Sequence, residues 1–127
     1  MDIKTFPSCM ADIPVDLQHP NRTLVHGLFE EFTVVQGAKR RFLTYIPENL
    51  EYCQPCLVTA VPSGVKAAEF LEISGLKQFA EEHQLFLHLA LPEENWKTDG
   101  SDADYLNAVY VTIQARDYYI TMQDNIY

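Results

Sequence analysis

Hydrophobic and polar positions follow no period over the opening of the chain and then fall into order. Pro7, Pro14 and Pro20 punctuate residues 1–28, where neither a period of two nor one of 3.6 persists. Residues 1–30 therefore read as an irregular segment lying over the surface of the remaining chain. From Glu31 the pattern sharpens. Phe32-Thr33-Val34-Val35 is aromatic and β-branched, Gln36-Gly37-Ala38 signals a turn, and Arg41-Phe42-Leu43-Thr44-Tyr45-Ile46 is a second strand stopped by Pro47. That pattern predicts a β-hairpin.

Pro55 precedes an unbroken apolar run, Cys56-Leu57-Val58-Thr59-Ala60-Val61, closed by Pro62-Ser63-Gly64. A short run that is apolar at odd and even positions alike predicts a strand covered on both faces. Ala67, Ala68, Phe70, Leu71, Leu76, Phe79 and Ala80 recur at near-helical spacing over 66–83, with Gly75 placed to divide the stretch. Leu85 to Leu91 is a second buried strand, stopped by Pro92. After the loop 92–101, Ser101 or Asp102 can cap a helix reaching about Arg116, with Tyr105, Leu106, Val109, Thr112 and Ile113 as its apolar stripe. Asn125-Ile126-Tyr127 reads as the opening of one more strand. Strands alternating with helices predict an α/β fold. The sheet is expected to be mostly parallel, with right-handed crossovers and the antiparallel hairpin at its edge.

A chain of 127 residues has room for one domain. Hydrophobic residues make up 47% and charged residues 21%, a globular balance that excludes a disordered or fibrous chain. No apolar run approaches the ~20 residues of a membrane span, and Met1 to Pro14 lacks the apolar stretch of a secretory signal. A cytoplasmic chain with no membrane partner is expected. Nine Lys and Arg against eighteen Asp and Glu give a net charge of −9. Binding a nucleic-acid backbone would need a basic patch able to outweigh that repulsion. The one basic cluster, Lys39-Arg40-Arg41, lies on a strand whose successive side chains face opposite ways, so it forms no stripe. No nucleic-acid partner is expected.

Particular residues sharpen the picture. Gly37 to Pro47 is an Arg-aromatic strand that ends in Pro and leads into the core strand Cys56–Val61. Ser74 to His83 is the body of a helix, Leu85 to Pro92 the strand after it. Trp96 sits in the next loop, and Asp102-Ala103-Asp104-Tyr105-Leu106 starts an Asp-led helix. In this order they resemble the polyhydroxybutyrate-depolymerase and feruloyl-esterase-like group of the α/β-hydrolase superfamily. The likeness covers 31–127 and implies the N-terminal half of such a domain, with a carboxylic ester hydrolase as parent. In that superfamily the nucleophile is the Ser of G-x-S-x-G, on a turn between strand and helix, and the acid and His follow it. No G-x-S-x-G occurs in this chain. The resemblance thus implies a fragment that lacks its nucleophile and is inactive alone, with an ester substrate only in the parent and no cofactor. The family's His-Gly pair after the first central strand supplies N–H groups to an oxyanion. Here that place is Val61-Pro62-Ser63-Gly64. Pro62 has no N–H, which leaves Ser63 and Gly64 as oxyanion-hole candidates.

Other constellations carry less. Cys53-Gln54-Pro55-Cys56 spells C-x-x-C, but thiol-redox chemistry sets the first Cys at a helix N-terminus, whereas this pair precedes a strand. Zinc would need two further ligands; Cys9 is remote, and His83 and His88 lie in or beside apolar elements, so no metal is expected. Leu24-Val25-His26-Gly27 places its His-Gly pair before the hairpin, away from the carboxyl ends of the central strands. His88, inside a buried strand, reads as a hydrogen-bonded core residue. Asp99, Asp102 and Asp104 lack the Gly and Glu of a calcium loop and read as solvated or capping. Trp96 is a candidate ligand platform or a packing residue. Two alternatives stand beside the esterase fragment: a non-catalytic α/β binding or assembly module and, weaker, a C-x-x-C redox protein. A central strand lacking its next neighbour exposes an edge, so a homo-oligomer joined through a sheet edge or an apolar face is expected.

Overall fold

The computed structural model describes residues 3–5, 15–16, 19–23, 26–48 and 55–116. In chain order the elements are β1 (Ile3–Thr5), the pair β2 (Val15–Asp16) and β3 (His19–Thr23), then β4 (Gly27–Val35) and β5 (Ala38–Ile46). They continue with β6 (Cys56–Ala60), α1 (Ala67–Ile73), α2 (Leu76–His83), β7 (Phe86–Ala90) and α3 (Ser101–Arg116).

The hairpin turns at Gln36 and Gly37, whose φ values of 51° and 80° are both left-handed. That is the signature of a type I′ turn, whose twist matches that of the strands it joins. β4 and β5 pair without a slip from Val35–Ala38 to Gly27–Ile46. The first strand starts at Gly27, inside the stretch that the sequence pattern leaves irregular. Glu30-Glu31 hides the strand from a hydrophobicity reading, and both carboxylates meet partners across the sheet. Arg41 meets Glu30 at 2.6 Å, and the Thr44 hydroxyl donates to Glu31.

The five-stranded sheet has the order β1-β4-β5-β7-β6. β1 is parallel to β4 and β6 to β7, while β5 is antiparallel to both its neighbours. β1, β4, β6 and β7 therefore run one way, and β5 alone runs against them. The class expected from the sequence, α/β, is the one that forms. The sheet itself is mixed, because the hairpin lies inside it rather than at its edge and β5 makes two antiparallel ladders.

Alternation along the strands sorts the two faces. Phe29, Phe42, Ile46, Cys56, Phe86 and Ala90 pack with Tyr105, Val109 and Ile113 of α3. Leu28, Leu43, Tyr45, Leu87 and Leu89 pack with Leu71 of α1 and Ala80 of α2. Helices on both faces bury β7 at all five positions. β6 is the outer strand among the described residues, and there Leu57, Val58 and Thr59 are only half-buried. The apolar run predicts full cover; among the described residues β6 has a neighbouring strand on one side only, and its cover is partial.

α1 and α2 form the crossover between the parallel strands β6 and β7. Gly75, at φ 77°, divides them where the sequence pattern marks it. α3 starts at Ser101, yet neither Ser101 nor Asp102 is its cap. Asp99 Oδ1 accepts the Ser101 N–H at 3.0 Å and the Ser101 hydroxyl at 2.6 Å. Leu106 also leaves the expected stripe and is 37% exposed. One step on from buried Tyr105 rotates a side chain about 100° around the helix. The stretch Asn125–Tyr127 and Cys53 lie outside the described residues. Among the described residues no helix is long and apolar enough to cross a membrane.

Candidate functional site

β6 and β7 lie side by side and parallel, but the segments that leave them diverge. β6 leads to α1 on one face of the sheet, and β7 leads to α3 on the other. In open α/β sheets the crevice at the carboxyl ends of two such strands is where ligands bind.

One wall of this crevice is a tight turn. Val61 N–H donates to the Ala90 carbonyl at 2.9 Å, which extends the ladder, and Val65 N–H then closes onto the Pro62 carbonyl at 3.3 Å. Gly64 occupies the third position at φ 78°, the left-handed geometry a type II turn requires there. The turn's bond engages the N–H of Val65, so those of Ser63 and Gly64 stand outside it.

The other wall is the loop after β7, and Trp96 joins the two. Its indole N–H donates to the Val61 carbonyl at 2.7 Å, and its backbone N–H donates to Ser63 Oγ at 3.3 Å. Its ring lies 6.4 Å from that of Tyr105, at an interplanar angle of 26°. Ser63, Gly64 and Trp96, singled out separately in the sequence, are thus brought together. Trp96 serves there as a brace across the crevice.

Beside the brace stands a cluster that sequence reasoning missed. Arg40 Nη1 donates to Asp102 Oδ1 at 2.9 Å and Nη2 to the Leu91 carbonyl at 2.8 Å, while the guanidinium lies 3.6 Å from the Tyr105 ring centre. The Tyr105 hydroxyl donates to the Arg41 carbonyl at 2.7 Å and accepts the Leu91 N–H at 2.9 Å. Asp102 also accepts the Lys97 N–H, and this bond, with Arg40 beside it, holds its carboxyl below the usual range against the opposing effect of burial. Burial pushes the Tyr105 phenol up. Lys39-Arg40-Arg41 does split between faces: Arg40 turns toward α3, and Arg41 turns the other way to Glu30. The one signal in the sequence was the spacing of Asp102 and Tyr105, which puts both on one side of a helix.

The remaining candidates lie elsewhere. His26 is exposed just before β4, and His83 ends α2 shortly before β7, so both are at the opposite edge of the sheet. His88 is fully buried in mid-sheet, with Nδ1 2.8 Å from the Thr44 hydroxyl, as expected of a core histidine. Cys56 opens β6 and is buried, while its C-x-x-C companion Cys53 is among the residues not described. Asp104 meets Gln36 at 3.3 Å. No group of three His, Cys, Asp or Glu among the described residues is placed to hold a metal ion. The chain matches no protein-family model and no curated protein.

Proposed function

We propose that this chain is the N-terminal portion of an α/β-hydrolase-like domain, and that its carboxyl edge frames a serine-esterase site completed by residues outside it. The observation that carries this reading is the crevice between β6 and β7, with the Pro62–Val65 turn directly after β6. Two N–H groups lie outside the turn's own bond, those of Ser63 and Gly64. Donors in that place suit the oxyanion that develops when a serine attacks an ester carbonyl. The resemblance implies the order hairpin, strand, helix, strand and helix, and the elements follow that order with two helices, α1 and α2, where it implies one. In the completed domain the sheet grows beyond β6 by further strands running with it, and the nucleophile elbow follows one of them. The chain itself carries no G-x-S-x-G. His26, His83 and His88 all stand away from the crevice, so catalysis by these residues alone is not expected.

Trp96 favours a second reading, a non-catalytic binding or assembly module. The Val61 carbonyl and the Ser63 hydroxyl already accept its N–H groups. Hydrolysis of p-nitrophenyl butyrate separates the two. Turnover by the protein translated from the complete reading frame, with none by the 127-residue chain, supports the hydrolase. An inert complete protein contradicts the hydrolase and leaves the module. Turnover by the chain alone, above a heat-inactivated control, contradicts the claim that the nucleophile lies outside it.

A further inference from the structure

On the α1 side of the sheet the crevice between β6 and β7 opens into a cleft of about 490 Å³. Val61 and Gly64 reach it from the segment after β6, and Leu91 from the segment after β7. Leu43 of β5 lines it from the sheet, and Val65 and Ala68 line it at the start of α1. Its volume falls within the ~300–1,000 Å³ of small-molecule sites.

The chemistry of the lining selects a class of occupant. Its apolar side chains are aliphatic, and among the described residues no aromatic ring lines it. A flat aromatic guest therefore finds no ring to stack on. Its charges balance. Arg41 is held by Glu30 at 2.6 Å, and Glu93 lies 3.7 Å from Arg40 and 3.9 Å from Lys97. Lys66 and Glu94, the other charged residues of the lining, are exposed and opposite in sign. An ionised group entering the cleft would lose hydration and gain no net attraction. A neutral carbonyl is served at one end. The Gly64 N–H lies outside the turn's own bond, and a Cβ at Gly64 would meet no atom within 4 Å, so the approach is open.

We infer that this cleft seats the acyl arm of the ester, and that the arm is an uncharged, saturated aliphatic chain. Its carbonyl oxygen lies at the Gly64 N–H, and the chain runs over Val61 and Leu43 toward Ala68. The acyl arm stays bonded to the serine through both steps of the reaction, so a seat for it acts in both. The inference deepens the hydrolase reading and rests on it.

The experiment uses the protein translated from the complete reading frame and p-nitrophenyl esters that share one leaving group. They are the acetate, the hexanoate, the benzoate and the hemisuccinate, whose acyl arm ends in an ionised carboxylate. Hexanoate is expected to exceed acetate in kcat/KM at least about tenfold, within what its added methylenes supply when buried. It should exceed benzoate and hemisuccinate by a similar margin. Val65→Trp fills the cleft and should lower the ratio of hexanoate to acetate at least about fivefold. Ala68→Phe should lower the same ratio. Val65 is exposed, so its variant decides the matter if Ala68→Phe does not fold. A protein that hydrolyses none of the four esters contradicts the hydrolase reading, and this inference falls with it. Turnover that is equal for acetate and hexanoate, that favours benzoate or hemisuccinate, or whose preference survives Val65→Trp overturns the inference and leaves the hydrolase reading standing.

Discussion

Arg40 concentrates several interactions in one side chain. Its guanidinium serves a carboxylate, a carbonyl and an aromatic face at once, and both it and Asp102 are largely shielded from solvent. Removing it leaves the Asp102 carboxylate, 5% exposed, without its charged partner. Breaking a buried pair from one side costs about 3–5 kcal/mol, so Arg40→Ala should lower the urea midpoint by that equivalent at unchanged slope. Arg40→Lys should recover less than half, because an ammonium lacks the planar fork that meets both acceptors while stacking. Asp102 also sets an acid dependence. Its folded pKa is depressed, by the Lys97 N–H first and then by Arg40. The stabilisation is therefore present above the unfolded value of about 3.9 and is lost as pH falls through the lower folded value. The melting-temperature gap between wild type and Asp102→Asn should narrow as pH drops below about 4. Tyr105 and Tyr45 act on the alkaline side. Burial raises both phenols, helped at Tyr45 by Glu81, so their contribution holds below about pH 10 and is lost as pH rises through the folded values.

Elements held by local chemistry were the ones legible in the sequence. β6, β7, the break at Gly75 and α3 all fall where periodicity and punctuation place them, within a residue or two, and β5 ends at Ile46 as expected but starts at Ala38, three residues before the expected Arg41. What escaped depends on partners distant in the chain. The start of β4 is masked by two glutamates that meet Arg41 and Thr44 across the sheet. The candidate site divides in the same way. Ser63 and Gly64 follow from their place after a strand, whereas Arg40 and Asp102 meet across 62 positions of sequence. No local pattern encodes that contact. The hairpin offers a test of local chemistry alone. Gln36 sits at φ 51°, where Asn is more at ease in a type I′ turn, so Gln36→Asn should raise stability by roughly 0.5 kcal/mol. Leu87 tests the sheet instead. It is fully buried in β7, and Leu87→Ala should cost about 2–5 kcal/mol in denaturant unfolding.

The whole molecule sets a net charge of −9 against apolar surface left in the open. β1 covers β4 only along Leu28–Glu30; past it, Phe32, Val34 and Val111 are 49%, 62% and 52% exposed beside α3. β6 is the other outer strand among the described residues. Burying apolar area is worth about 25 cal/mol per Å², and charge repulsion is screened within about 8 Å at physiological salt. The chain is expected to self-associate at micromolar concentration through an edge or an apolar face; a monodisperse monomer in a light-scattering dilution series would count against this. The central claim is that the chain frames an ester-hydrolase site without supplying its nucleophile, and covalent labelling tests it most directly. The protein translated from the complete reading frame is treated with an alkyl fluorophosphonate, and the modified serine is located by peptide mass spectrometry. The account predicts one adduct, on the serine of a G-x-S-x-G outside these 127 residues, and no adduct on the chain treated alone. An adduct on Ser63 or any other serine of this chain, or a complete protein that takes up no label, would contradict it.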